Sequence, residues 1–250
     1  MSLHADIRGR GQRVVLAHGF TQNGRCWGPL GHDLAADHEV MAVDLPGHGL
    51  TPAELDQADL VTAGRLLGEA GGDGVYVGYS MGGRVALHLA LDHPALVHGL
   101  VLIGVTAGID EPEERASRRR ADTELADRLM AQGLETFLER WLSNPLFTGL
   151  RPEAAAIPAR LQNRPEGLAA SLRHCGTGNQ EPLWSRLDEL TMPVLVLAGD
   201  RDTKFTELGK RLTAHLPQAE LVLLPATHPV HLESPTATAE IIRRFVSEIA

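Results

Sequence analysis

The stretch GYSMGGR, residues 78–84, sets Ser80 between two glycines, each two positions away, after an apolar VYV and before a helical pattern. A serine on such a strand–turn–helix junction sits in a strained backbone with its hydroxyl exposed at the strand end. Gly78 and Gly82 remove side chains that would clash in so tight a turn. The N–H of Met81 then opens a helix and offers partial positive charge to a developing oxyanion. The plain alternative is a serine that only caps the helix; the strand ahead of it and the paired glycines favour chemistry.

A serine hydroxyl is weakly reactive at neutral pH and needs a base that a third group orients. The run VLVLAGDRD ends in Asp200 and Asp202, and ATHPVHLESP carries His228 and His231. Asp202 lies past the turn and can reach the next loop, whereas Asp200 is placed to support the turn. His228, nearer the strand end, is preferred to His231 as base. In LAHGFTQNG, residues 16–24, the strand ends in a His-Gly turn. There the N–H of Phe20 can converge with that of Met81 on one oxyanion hole. Arg84 follows Ser80 by four residues and shares its helix face. The plain alternative is a surface arginine paired to a nearby acid; beneath the expected lid an unpaired cation would be costly, and a carboxylate-bearing ligand would satisfy it.

Alternating elements must position these groups. RVVLA, EVMAV, GVYVGY and LVHGLVLIGV read as strands, separated by helical stretches that end on glycine or proline. After Gly108 the alternation stops. Residues 109–187 show amphipathic helical stretches and no convincing strand; PVLVLAG and AELVLL then resume the strands, with helices after each. Repeated βα units predict a mostly parallel sheet with helices on both faces. The expected organisation is a core of residues 1–108 and 188–250, with 109–187 inserted as a helical lid over the strand ends where ligands bind.

The chain has 250 residues, 43% hydrophobic and 22% charged, with a formal net charge of −9. That balance disfavours binding to nucleic acid or anionic membranes. No apolar run approaches the ~20 residues of a membrane span, and the first residues lack the apolar core of a secretion signal. Cys26 and Cys175 lie far apart and read as free thiols in a reducing cytoplasm. No metal-ligand spacing or phosphate loop appears, so no cofactor is implied. Composition and spacing leave the oligomeric state open.

Taken together, HGF, DLPGHG, GYSMGG, GDRD and THPVHLESP resemble the α/β-hydrolase superfamily over almost the whole chain. GYSMGGR, FLERWLSNPLF, SLRHCGTGNQEPLW and LAGDRDTKF resemble one branch more closely: the 2-succinyl-6-hydroxy-2,4-cyclohexadiene-1-carboxylate synthases of menaquinone biosynthesis. The resemblance implies a lyase that eliminates pyruvate from a polycarboxylate cyclohexene, with the Ser80–His228–Asp202 triad acting as base. It also implies that Arg84, Arg118, Arg160 and Lys204 bind the substrate's anionic groups and that Tyr79 and Trp141 form pocket walls. From the residues alone, Arg119 is as credible as Arg118. Thr227 stands where the family has glycine, a departure that bears on His228 against His231. The nearer rival is an ester or carbon–carbon bond hydrolase using the same triad as nucleophile; the farther is a small-molecule receptor.

Overall fold

A computed structural model describes residues 2–249. The strands are β1 (Ala5–Arg8), β2 (Arg13–Ala17), β3 (Glu39–Val43), β4 (Gly74–Tyr79), β5 (Val97–Ile103), β6 (Val194–Gly199) and β7 (Ala219–Leu224). The α-helices are α1 (Gly28–Leu34), α2 (Leu60–Gly71), α3 (Met81–Asp92), α4 (Pro112–Gln132), α5 (Leu134–Leu142), α6 (Ile157–Arg160), α7 (Pro165–Cys175), α8 (Thr203–His215), α9 (Val230–Glu233) and α10 (Pro235–Glu248).

The strands form one seven-stranded sheet in the order β1-β3-β2-β4-β5-β6-β7. Every pairing is parallel except β1 with β3. Successive residues along a strand face opposite sides, and the core divides accordingly. Val15, Tyr76, Leu100 and Val196 join residues of α2, α3 and α8 on one face. Val14, Val75, Val101 and Leu195 join α1 and α10 on the other. The continuous apolar strands therefore have both faces covered, as a parallel sheet requires.

The sequence pattern shows six of these strands. The seventh, β1, is only four residues long, and its Ile7 is 55% exposed. Its strand conformation comes from antiparallel pairing with β3, which local periodicity does not encode. Between β5 and β6 the chain runs through α4 to α7. These helices enclose a small apolar cluster built on Ala126, Leu129, Phe137, Leu168, Ala169 and Leu172, with Phe20 from the sheet side packed against it. That contact sets the helices above the carboxyl end of β2, beside the loop that follows β4.

Candidate active site

Four loops at the carboxyl ends of parallel strands converge here: after β2, β4, β6 and β7. Ser80 links β4 to α3 with φ 49° and ψ −107°, a conformation that non-glycine residues rarely adopt. Its N–H donates to the Ile103 carbonyl at 2.9 Å, which ties the strained residue to β5. A side chain at position 78 would lie 2.4 Å from Gly83 Cα, and one at position 82 would lie 2.0 Å from the Ala17 carbonyl oxygen. Glycine at both positions is a requirement of close approach.

His228 Nε2 stands 3.2 Å from Ser80 Oγ, and His228 Nδ1 stands 3.2 Å from Asp202 Oδ2. With the proton on Nδ1 facing the carboxylate, Nε2 is left as acceptor for the serine O–H. The other carboxylate oxygen of Asp202 accepts the Phe205 N–H at the start of α8. Burial works to raise the Asp202 carboxyl. The hydrogen bonds from His228 and Phe205, with the nearby Lys204 charge, outweigh it and hold the group below its ordinary value. Asp200 is half exposed and loosely paired with Arg201 at 4.0 Å.

His231 lies apart from this chain of bonds. Its ring packs 4.3 Å from Tyr79 and 4.8 Å from Trp27, and its Nε2 is 3.3 Å from the Gln22 amide nitrogen. Burial drives its pKa well below the ordinary value, so it is neutral. Thr227 places both its N–H and its hydroxyl on the buried Glu233 carboxylate. The threonine thus gains an anchor that glycine lacks, and the His228 ring stays within reach of Ser80.

Among the described residues, neither the Phe20 nor the Met81 N–H finds a protein acceptor. The Gly19 carbonyl, in the same peptide unit as the Phe20 N–H, accepts the Gln22 N–H at 3.1 Å and lies 2.9 Å from His18 Nδ1. His18 Nε2 in turn accepts the Leu45 N–H at 3.0 Å. Because the peptide unit is planar and trans, fixing the carbonyl on one side fixes the N–H on the other. His18 and Gln22 therefore orient the Phe20 donor, a role that their positions in the sequence do not disclose. Burial lowers the His18 pKa to about 4 and keeps the ring neutral.

Ser80, His228, Phe20 and Met81 share one cavity with Tyr79, Trp141, Arg84, Arg118, Arg160 and Lys204, enclosing about 840 Å³ including its open mouth. Arg84 is 7% exposed, and its one side-chain hydrogen bond among the described residues is a 3.5 Å approach to the side-chain amide oxygen of Gln180. Burial is the main force pushing its pKa down, to about 10. Arg160 is 1% exposed and donates to the Ala155 carbonyl and the Thr21 hydroxyl. No carboxylate pairs with either arginine among the described residues. Arg118 lines the cavity and pairs with Asp122 at 2.8 Å, whereas Arg119 turns away onto the Gly178 carbonyl. Lys204 is exposed at the mouth. The indole N–H of Trp141 is buried and has no acceptor among the described residues. The arrangement joins a polarised hydroxyl, two free backbone donors and a cationic wall: a site able to move a proton next to a carbonyl on a polyanion.

Residues 14–241 match the alpha/beta hydrolase family. A Bacillus subtilis protein named as a candidate 2-succinyl-6-hydroxy-2,4-cyclohexadiene-1-carboxylate synthase is 35% identical over 95% of this chain and 91% of its own length. The Photorhabdus laumondii synthase of that name is 33% identical over 94% of this chain and 85% of its own. Among solved structures, MenH from S. aureus superposes with a TM-score of 0.91 at 30% identity, covering 98% of both chains. A Thermogutta terrifontis esterase with malate bound gives 0.85 at 26% identity, over 99% of this chain and 93% of its own. The chain belongs to the 2-succinyl-6-hydroxy-2,4-cyclohexadiene-1-carboxylate synthases of the α/β-hydrolase family.

Proposed function

We propose that the chain eliminates pyruvate from a succinyl-enolpyruvyl-hydroxycyclohexene-carboxylate, giving 2-succinyl-6-hydroxy-2,4-cyclohexadiene-1-carboxylate for menaquinone synthesis. Asp202 holds His228 in the tautomer whose Nε2 faces Ser80, and His228 raises the basicity of the serine oxygen. Ser80 then takes a proton from the substrate ring. Negative charge moves onto the conjugated carbonyl, where the Phe20 and Met81 N–H groups receive it. Collapse of that enolate forms the ring double bond and breaks the carbon–oxygen bond; the enolpyruvyl group leaves as the enolate of pyruvate, and its protonation gives pyruvate and balances the proton taken by Ser80. Donors fixed before the reaction stabilise the charge without reorganisation.

The observation that carries this reading is the pair of buried arginines, Arg84 and Arg160, in the cavity with Ser80 and, among the described residues, with no carboxylate of their own. Each charge-assisted contact to a ligand carboxylate contributes on the order of 1.5–3 kcal/mol. An apolar acyl pocket has no use for them, which separates this site from a simple esterase carrying the same triad. The helices of residues 109–187 act as a lid, excluding water from the reacting carbon. A reducing cytoplasm fits the two buried free thiols, Cys26 and Cys175. No described helix is long and apolar enough to cross a membrane.

The test is incubation with the succinyl-enolpyruvyl intermediate while pyruvate release is followed, in parallel with hydrolysis of small aryl esters. Saturable pyruvate release that far exceeds ester turnover supports the lyase. Ester hydrolysis at the rate of a dedicated esterase, with no pyruvate, overturns it in favour of the hydrolase. Tight ligand binding without product favours the receptor.

A further inference from the structure

Asp122 is an odd residue to find in this cavity. It is 2% exposed, it lines the same space as Ser80, and it carries negative charge where the proposed substrate is itself a polyanion. Its hydrogen bonding is thin for a buried carboxylate. One oxygen accepts Arg118 Nε at 2.8 Å, and the other lies 3.5 Å from the Gly178 N–H. Burying a charge with so few partners costs stability, so fold maintenance alone explains it poorly.

The geometry points to Asp122 as a positioning residue for Arg118. Arg118 and Asp122 are one turn apart on α4, and the carboxylate engages the guanidinium by its Nε edge. Among the described residues no protein acceptor takes the two terminal Nη groups, although Arg118 lines the cavity. Those groups form the planar fork that binds a carboxylate through two parallel hydrogen bonds. Holding Arg118 from the side therefore presents the fork to the substrate already ordered, where a free arginine would lose rotamer entropy on binding. A second effect follows from charge. Arg84 feels Arg118 as a like charge and Asp122 as an opposite one. Asp122 thus offsets the mutual repulsion of two cations that must share one cavity before substrate arrives. A Cβ at Gly176 would fall 2.4 Å from the Leu172 carbonyl oxygen and 2.6 Å from the second Asp122 oxygen, so glycine there leaves room for both.

This inference rests on the proposal that the cavity takes a polycarboxylate, and its test separates the two. Asp122→Ala, Asp122→Asn and Arg118→Met are compared singly, with Asp122→Ala also placed in the Arg118→Met background. Two readouts are used: KM and kcat for pyruvate release, and the Kd of citrate measured by calorimetry. Melting temperature confirms that each variant is folded. Asp122→Ala is expected to raise KM and the citrate Kd about tenfold, with kcat changing less than about threefold. Asp122→Asn keeps an oxygen for Arg118 Nε and is expected to recover most of that loss.

In the Arg118→Met background the sign reverses. With no arginine to aim, removing the buried negative charge lowers KM and Kd. A carboxylate that only props the turn at Gly176–Gly178 gives the same loss in both backgrounds. That result, or an Asp122→Ala protein that binds and turns over as well as the parent, overturns the inference. If the parent releases no pyruvate, the lyase proposal fails, while the citrate constants still decide the role of Asp122.

Discussion

Replacing Arg84 with methionine should make the free protein more stable and the enzyme much worse. Arg84 is 7% exposed, and burial above all pushes its pKa down from the ordinary guanidinium value to about 10. Each pKa unit corresponds to 1.36 kcal/mol, so keeping the guanidinium charged costs the fold about 3 kcal/mol. Methionine is apolar and flexible enough to fill much of the same space. The substitution forfeits only the long contact to Gln180, worth about 1 kcal/mol. The net gain is about 1–2 kcal/mol, which in a chain of this size raises the melting temperature by about 2–8 °C. Catalysis moves the other way. Removing one partner of a buried charge pair costs about 2–5 kcal/mol, or about 30-fold to several-thousand-fold in kcat/KM for pyruvate release. Thermal melting without ligand and steady-state pyruvate release read the two effects separately. A melting temperature that falls together with activity would show that Arg84 holds the fold, and the case for a substrate carboxylate beside it would be lost.

Ser80→Ala should lower pyruvate release by at least about a thousandfold with an unchanged melting temperature, since the change removes one oxygen from an open position; near-parental turnover would sink both the lyase and the hydrolase mechanisms. His228→Ala should match that loss, because a triad acts as a unit. His231→Ala should instead lose about 2–4 kcal/mol of stability through the cavity left between Trp27 and Tyr79, with a smaller kinetic defect; the opposite ranking would move the base along the loop. Acid should destabilise the fold well above the carboxylate range. Burial first of all lowers His18 to about 4 and His48 to about 3, and drives His231 well below its ordinary value. These groups bind protons in the unfolded chain from about pH 6.5 downward, but not in the folded one. Their stabilisation is complete above that pH and is lost as pH falls towards 4. At pH 5.5 each contributes a loss of about 1.4 kcal/mol, roughly 4 kcal/mol in all. Urea unfolding at pH 7.5 and 5.5 measures it, and equal stability at the two values would contradict the neutral assignment.

The central parallel strands β4, β5 and β6 are legible in the sequence because burial on both faces writes them as nearly unbroken apolar runs. VLVLAG and GVYVGY need no knowledge of their neighbours. Strand β1 is not legible for the converse reason: ADIR is short and half exposed, and only β3 makes it a strand. The strand ends alone name Ser80, Asp202 and His228 as neighbours, since parallel strands gather their carboxyl ends on one edge. What spacing cannot supply is rotation. Arg118 and Arg119 differ by about 100° around α4, and the choice between them depends on how Ala126 and Leu129 seat that helix against α7. Asp122 is hidden for a related reason. In the sequence it is the second member of an i, i+4 pair, the commonest decoration of a solvated helix, and only tertiary packing shows it to be buried.

Many enzymes of this fold carry a serine, a histidine and an acid at these strand ends, so the triad alone does not choose between attack on a carbonyl and removal of a proton. The surroundings make that choice. Here the serine faces a cavity whose inner wall holds two buried arginines and whose mouth holds Arg118 and Lys204. An ester bound beside these charges would leave them buried and unpaired, at a cost. A polycarboxylate relieves the same charges as it binds. The binding energy so released can hold the ring with its acidic hydrogen against Ser80 Oγ and its carbonyl against the Phe20 and Met81 donors. In that proposed pose the reacting centre would be a C–H bond, and the hydroxyl that serves related enzymes as a nucleophile would meet a proton first. The destabilisation measured in the empty protein and the specificity measured in turnover should therefore come from the same residues, which is why the Arg84 variant reads both.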